Sequence, residues 1–122
     1  RGMIADRAIR EDELGGKTVV VVGFGRIGAR IGRLAKAFDM RVIGVRRTPE
    51  PSPAADSVVP DSALDDVIPL ADFLVLSCPL TDSTRGLLDE SRLRALKKGA
   101  VLINVARGAV VDETALVAAL KD

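Results

Sequence analysis

Three short stretches hold residues whose types and spacing could do chemistry. The first is Gly23-Phe24-Gly25-Arg26-Ile27-Gly28, a G-x-G-x-x-G pattern. In such a loop the first glycine permits a tight turn out of a strand. The second lets a pyrophosphate approach the backbone with no Cβ in the way, and the third lets a helix lie close to the strand. Free N–H groups at the helix start, around Arg26, Ile27 and Gly28, would then face the phosphates along the helix dipole. The pattern alone is weak. Its meaning comes from context, a buried strand before it and an amphipathic helix after it. A glycine-rich turn needed only for packing is the competing reading.

The second stretch is Arg46-Arg47-Thr48, at the end of the apolar run Val42-Ile43-Gly44-Val45. A site for NAD usually carries an acidic residue there, roughly 20 positions past the glycines, bonded to the ribose 2′-OH. A carboxylate would repel a 2′-phosphate, whereas a guanidinium pairs with one in a fork geometry. Charge at this place therefore favours NADP. NAD, with two solvated arginines on a loop, is the alternative. The third stretch, Asn104-Val105-Ala106-Arg107-Gly108, offers an arginine flanked by a glycine just past a predicted strand. Arginine is the side chain that holds a planar carboxylate bidentately.

The elements that must position these residues read as follows. Thr18 to Val22 is a β-branched run, as in a strand buried on both faces. Arg26 to Phe38 reads as a helix, with Ile27, Ile31, Leu34, Ala35 and Phe38 on one face. Arg41 to Val45 is a second strand. Arg46 to Pro60 holds four of the six prolines and is mostly loop, with a short strand at Ser57–Val59. Ser62 to Ile68 is a short helix, in which Ser62 and Asp65 have capping-box spacing and Pro69 limits extension. Phe73 to Ser77 is another buried strand. Asp89 to Lys98 is a helix with Asp89 as N-cap and Gly99 as its stop. Ala100 to Asn104 is a strand, and Asp112 caps a last helix carrying Leu116, Val117 and Leu120.

This alternation predicts an α/β fold, a doubly wound parallel sheet of Rossmann type. The expected strand order is 3-2-1-4-5, with the ligand crevice where the order reverses. Residues 1–16 read as an arm or linker, ending in the turn Leu14-Gly15-Gly16-Lys17, and 17–122 as the dinucleotide-binding domain. A full fold of this type has a sixth strand, expected after Asp122. The chain also opens on Arg1 rather than Met and reads as cut from something longer. A complete five-stranded domain is the other possibility.

Composition narrows the function classes. The 122 residues are 48% apolar, so disorder is not expected. The formal net charge is +1, which argues against a dedicated nucleic-acid or membrane surface. The longest apolar run, Thr18 to Phe24, is far too short to span a bilayer. A single cysteine, Cys78, cannot form an internal disulfide, so the cytoplasm is the default compartment. It reads as a core cysteine, or as one packed beside the cofactor with no redox role. No metal-binding cluster is read. Histidine is absent, and with it the most common general acid–base side chain.

The run Gly23 to Gly28, then Pro79-Leu80-Thr81 with Thr84, then Asn104-Val105-Ala106-Arg107-Gly108 with Val111-Asp112, resembles the D-isomer-specific 2-hydroxyacid dehydrogenases. That family includes phosphoglycerate, D-lactate and formate dehydrogenases and glyoxylate/hydroxypyruvate reductases. The likeness covers nearly all of Leu14 to Asp122, and the Asn-Val-Ala-Arg-Gly block is its most specific part. It implies that Arg107 clamps the substrate carboxylate and polarises the carbonyl. It implies that Pro79 and Thr84 line the cofactor and that Val105 sits near a cofactor ribose. It also implies a glutamate–histidine dyad C-terminal to this stretch, a second lobe for the substrate, and a homodimer. The implied activity is hydride transfer between NAD(P)H and a 2-oxo or 2-hydroxy acid, with these residues inactive by themselves. Two readings compete: a non-catalytic NAD(H)-sensing module on the same fold, and a Rossmann-like methyltransferase or FAD protein. The last two usually want an acidic residue where Arg46 stands.

Overall fold

The computed structural model describes residues 14–77 and 86–105. Five strands form one sheet in the order β3-β2-β1-β4-β5: β1 (Thr18–Val22), β2 (Arg41–Val45), β3 (Ser57–Val59), β4 (Phe73–Leu76) and β5 (Val101–Asn104). Every pairing is parallel. The expected order and strand positions are therefore observed. The sheet reverses winding between β1 and β4, whose ends pair Val22 with Leu76.

Successive residues of a strand point to opposite faces, and both faces are covered. Val20, Val22, Leu74, Leu76 and Leu102 share one core with Leu64, Val67, Ile68 and Leu93. These last come from α2 (Leu64–Val67), the 3₁₀ turn after it and α3 (Glu90–Ala95). Val19, Val21, Val42, Phe73 and Val75 pack on the other face with Phe24, Ala35 and Ala54. Ala35 belongs to α1 (Arg26–Ala37). A strand buried on both sides must be apolar at every position, which is why β1 and β4 read as unbroken runs.

Three local expectations are corrected. The face of α1 that meets the sheet is Gly28, Gly32 and Ala35, whereas Ile27 and Leu34 are 60% and 62% exposed. The helix lies so close to the sheet that only the smallest residues fit the central contact row; of the expected face, Ala35 is buried and Ile31 packs at its side, while Ile27 and Leu34 turn outward. The capping box at Ser62 and Asp65 does not form: residues 61–63 make a 3₁₀ turn, and neither it nor α2 has a side-chain cap. Asp65 instead receives Arg92 of α3 at 2.8 Å. Finally, α3 stops at Ala95, because Leu96 is already extended. Gly99, at φ +86°, shapes the turn into β5, in which Ala100 N–H donates to the Lys97 carbonyl. The Asp89 cap is as expected, its carboxylate accepting from Arg92 N–H at 3.0 Å. The last helix, from Asp112, lies outside the described residues.

Candidate cofactor site

In a parallel sheet all carboxyl ends lie on one edge. Here that edge gathers the glycine loop after β1, Arg46 after β2, Ser77 after β4 and Val105 after β5. The loop is held from two sides. Gly23, at φ +84°, turns the chain so that Gly23 and Phe24 N–H both donate to the Val45 carbonyl, at 2.9 and 3.1 Å. From the other side the Ser77 hydroxyl donates to the Gly23 carbonyl at 2.8 Å. A left-handed residue at that point suits glycine and few others.

The other two glycines of the loop differ in what surrounds them. A Cβ on Gly28 would stand 3.0 Å from both the Gly23 carbonyl oxygen and Ser77 Oγ, and 3.1 Å from Val21 Cγ1. Packing of α1 against β1 thus demands a glycine there. A Cβ on Gly25 would meet nothing within 4 Å. Side-chain packing among the described residues does not require that glycine. Gly25 is also the N-cap of α1. It offers no side chain to the helix, and the first turn carries no acidic residue. Among the described residues, the first N–H groups of this 12-residue helix thus have no side-chain cap and no acidic neighbour in their own turn, the arrangement that accepts an anion. A dinucleotide pyrophosphate suits that helix start by charge, and Gly25 has no Cβ to stand in its way.

Arg46 is half-buried, and Arg47 and Thr48 are exposed. The Arg46 guanidinium donates to the Glu50 carbonyl at 2.6 Å and, more weakly, to the Phe24 carbonyl at 3.4 Å. It lies 6.0 Å from the centre of the Phe24 ring. Its Nε is buried with no partner. Among the described residues no carboxylate pairs with Arg46 or Arg47. Two cations without counter-ions beside a helix N-terminus suit a polyanion. Val105 is 51% exposed on the same edge, its N–H tied to the Leu76 carbonyl. Arg26 and Ile27 lie exposed at the start of α1. Pro79, Thr84, Arg107 and Cys78 lie outside the described residues.

Two contributors to the site were not read from the sequence. One is Ser77, whose hydroxyl role has no sequence signature beyond its place at a strand end. The other is the slot for the Phe24 ring, for which Gly32 inside a helix and Gly44 inside a strand were available signals, since both mark close approaches.

The titratable groups with shifted pKa values lie at the opposite, amino edge or on the surface. Val42 N–H and then the Lys36 ammonium hold the Asp56 carboxyl below its usual value. Burial pushes the Asp72 carboxyl up, but Thr18 N–H and Lys97 together outweigh it and leave the group lowered. The hydrogen bond to Arg92 lowers Asp65. All three carboxylates are paired with cations, so they serve the fold. Among the described residues no three His, Cys, Asp or Glu side chains come together as a metal site, and no helix is long and apolar enough to cross a membrane.

Residues 1–122 match the family model described as D-isomer specific 2-hydroxyacid dehydrogenase, NAD binding domain. The glyoxylate reductase of Thermococcus kodakarensis is 44% identical over 107 residues, which are 88% of this chain and 32% of that protein. The chain thus spans about a third of the length of that curated relative. A D-isomer specific 2-hydroxyacid dehydrogenase from Xanthobacter autotrophicus Py2, solved in complex with NADPH and MES, superposes with a TM-score of 0.80 at 40% identity. The match covers 86% of this chain and 43% of that one. One from Lactobacillus delbrueckii ssp. bulgaricus, in its NAD complexed form, gives 0.76 at 34% identity, covering 87% and 31%.

Proposed function

The chain belongs to the D-isomer specific 2-hydroxyacid dehydrogenases, as their NAD-binding domain, and from that premise we propose that it is the cofactor lobe of an enzyme moving a hydride between NAD(P)H and a 2-oxo or 2-hydroxy acid. The nicotinamide supplies the hydride chemistry when bound; the protein's share is position and electrostatics. Gly23, Gly25, Arg26, Ile27 and Gly28 hold the pyrophosphate. Arg46, Arg47 and Thr48 take the adenosine end, and Pro79, Thr84 and Val105 line the rest of the cofactor. Arg107 clamps the substrate carboxylate. No histidine occurs among the 122 residues, so the general acid comes from outside them, and these residues alone give no turnover. The reading includes a homodimer in the cytoplasm, with no nucleic-acid or membrane partner.

Neighbours in the family are known with NADPH and with NAD. Among the described residues no carboxylate forms an ion pair with Arg46 or Arg47, which favours NADPH here. The two arginines divide the work. Arg46 is committed to carbonyls and to the Phe24 ring, while Arg47 is exposed and free to swing onto a 2′-phosphate with Thr48.

The observation that carries the cofactor reading is the open space at Gly25 beneath an uncapped helix start. Gly25→Ala tests it. Its φ is −95° and an added Cβ meets no atom of the described residues within 4 Å, so thermal stability should stay within about 0.5 kcal/mol of the parent. Cofactor affinity should fall by roughly tenfold or more, because the methyl occupies the pyrophosphate's approach. A stable variant that binds NAD(P)H as the parent does would remove the loop from the cofactor site.

A further inference from the structure

Phe24 occupies a variable position of the glycine pattern, and its side chain is 1% exposed. It fills a slot that exists only because two residues lack side chains. A Cβ on Gly44 of β2 would stand 2.6 Å from the ring's Cγ and 2.9 Å from both Cδ atoms. A Cβ on Gly32 of α1 would stand 3.1 Å from Cε1 and 3.3 Å from Cζ, and would overlap the Ala54 carbonyl oxygen. The base of the ring thus lies over β2 and its far edge against α1. Gly44 and Arg46 are alternate residues leading out of one strand, so they share a face, and the Arg46 guanidinium lies over the same ring. The Phe24 backbone completes the link. Its N–H donates to Val45 and its carbonyl accepts from Arg46.

We infer that Phe24 is a positioning residue for the cofactor, whose wedged ring fixes the spacing of the glycine loop from β2 and supports the guanidinium of Arg46, so that the pyrophosphate end and the 2′-phosphate end of the site are set together. The inference rests on the 2′-phosphate reading above. A flat aromatic face does this where an aliphatic side chain of similar size does not, because only the ring attracts a cation lying over it. Two close contacts, at Gly44 and at Gly32, leave the ring little freedom to shift.

The test is a double-mutant cycle on the whole protein with Phe24→Leu, Arg46→Ala and the pair. Dissociation constants for NADPH and NADH are measured separately by nicotinamide fluorescence. The expected result is a fall of roughly twofold to fivefold in the NADPH-over-NADH preference for Phe24→Leu, the reach of one partly exposed cation–π contact. The double variant should fall no further than Arg46→Ala alone. A merely structural ring would lower thermal stability and weaken both cofactors by one factor, leaving their ratio unmoved; that result overturns the inference, as does a double variant whose losses multiply. Should Phe24→Leu not fold, Phe24→Met keeps the volume without the flat face and gives the same ratio to read. A parent protein with equal affinities for the two cofactors, indifferent to Arg46→Ala and Arg47→Ala, overturns the 2′-phosphate reading and the inference with it. A parent that prefers NADPH but shows independent losses overturns the inference alone.

Discussion

Arg46 and Arg47 are adjacent in sequence and stand in different physical situations. Arg46 is half-buried with its fork spent on carbonyl groups, while Arg47 is exposed and has no carboxylate partner. A 2′-phosphate gripped by one charge-assisted contact gains about 1.5–3 kcal/mol, and exposure favours the lower end. We expect the protein to bind NADPH about tenfold more tightly than NADH at low salt, with Arg47→Ala abolishing most of that margin and Arg46→Asp reversing it. Added salt should shrink the margin, since exposed charges are screened over about 10 Å at 0.1 M. Equal dissociation constants in the parent would reduce both arginines to a solvated loop. Arg107 invites the parallel test at the substrate. Lysine keeps the charge but not the bidentate fork, so Arg107→Lys should cost about 1.5–3 kcal/mol in kcat/KM with a 2-oxo acid. A variant within twofold of the parent would take Arg107 out of the active site. The places of the glycine loop after β1 and of the arginine pair after β2 were legible in the sequence because each is a run of neighbours at a strand end. Ser77 and the Phe24 slot were not, because their partners come from distant strands and a helix.

At the scale of elements, the strands were legible and the helix faces were not. A buried parallel strand must be apolar throughout, so Thr18–Val22 and the buried Val42–Val45 of β2 could be read from their runs, while the edge strand Ser57–Val59, none of it buried, was read from its short β-branched pair. A helix is usually read by its large apolar residues, and on α1 that rule found Ala35 and Ile31 but misplaced Ile27 and Leu34. The face is Gly28, Gly32 and Ala35, because closeness to the sheet, not side-chain bulk, does the packing there. The Ser62 cap failed for a related reason. A short segment took a 3₁₀ turn, and Asp65 turned to Arg92 in α3, a tertiary partner that local spacing does not show. The close approach makes a prediction. Alanine is normally favoured over glycine inside a helix by about 1 kcal/mol. Gly32→Ala should nonetheless destabilise the protein by about 1–3 kcal/mol, since its methyl meets a backbone carbonyl that cannot swing aside and the ring of Phe24. Gly15→Ala, with nothing within 4 Å, should stay within about 0.5 kcal/mol. Denaturant unfolding of the two variants decides it; a Gly32→Ala protein as stable as the parent would mean that α1 can move away from the sheet.

Across the whole molecule the sheet separates two kinds of chemistry. Its carboxyl edge carries the glycine loop, two arginines that form no ion pair among the described residues, and Val105. Its amino edge carries two carboxylates that continue the strand ladder. Asp72 accepts from Thr18 N–H at 2.8 Å and returns its own N–H to the Thr18 carbonyl. Asp56 does the same with Val42, at 2.7 Å. Lys97 and Lys36, at the far ends of their crossovers, close the two pairs at 3.0 and 2.9 Å. Both carboxyls are lowered in the folded state, which fixes the sign of their effect. A lowered folded value means that the unfolded chain takes up protons first as pH drops. The stability they contribute is therefore present above the ordinary carboxylate range, near about pH 4, and is lost as pH falls through the folded values. Asp72→Ala should cost about 1–3 kcal/mol at pH 7, chiefly by leaving the Thr18 N–H unpaired at the sheet edge. Asp56→Ala should cost less, its side chain being 42% exposed against 26% for Asp72, so that water replaces part of what is removed. Each loss should shrink between about pH 5 and pH 2, where the parent's carboxylates are themselves neutralised. Cofactor affinity at pH 7 should not change in the folded variants, because the proposed cofactor site lies at the other edge. Urea unfolding at pH 7 and pH 3, with NADPH titration at pH 7, measures all three quantities. A loss as large at pH 3 as at pH 7 would show that the carboxylates act as spacers and not as charges, and a change in NADPH affinity would show that the two edges are not independent.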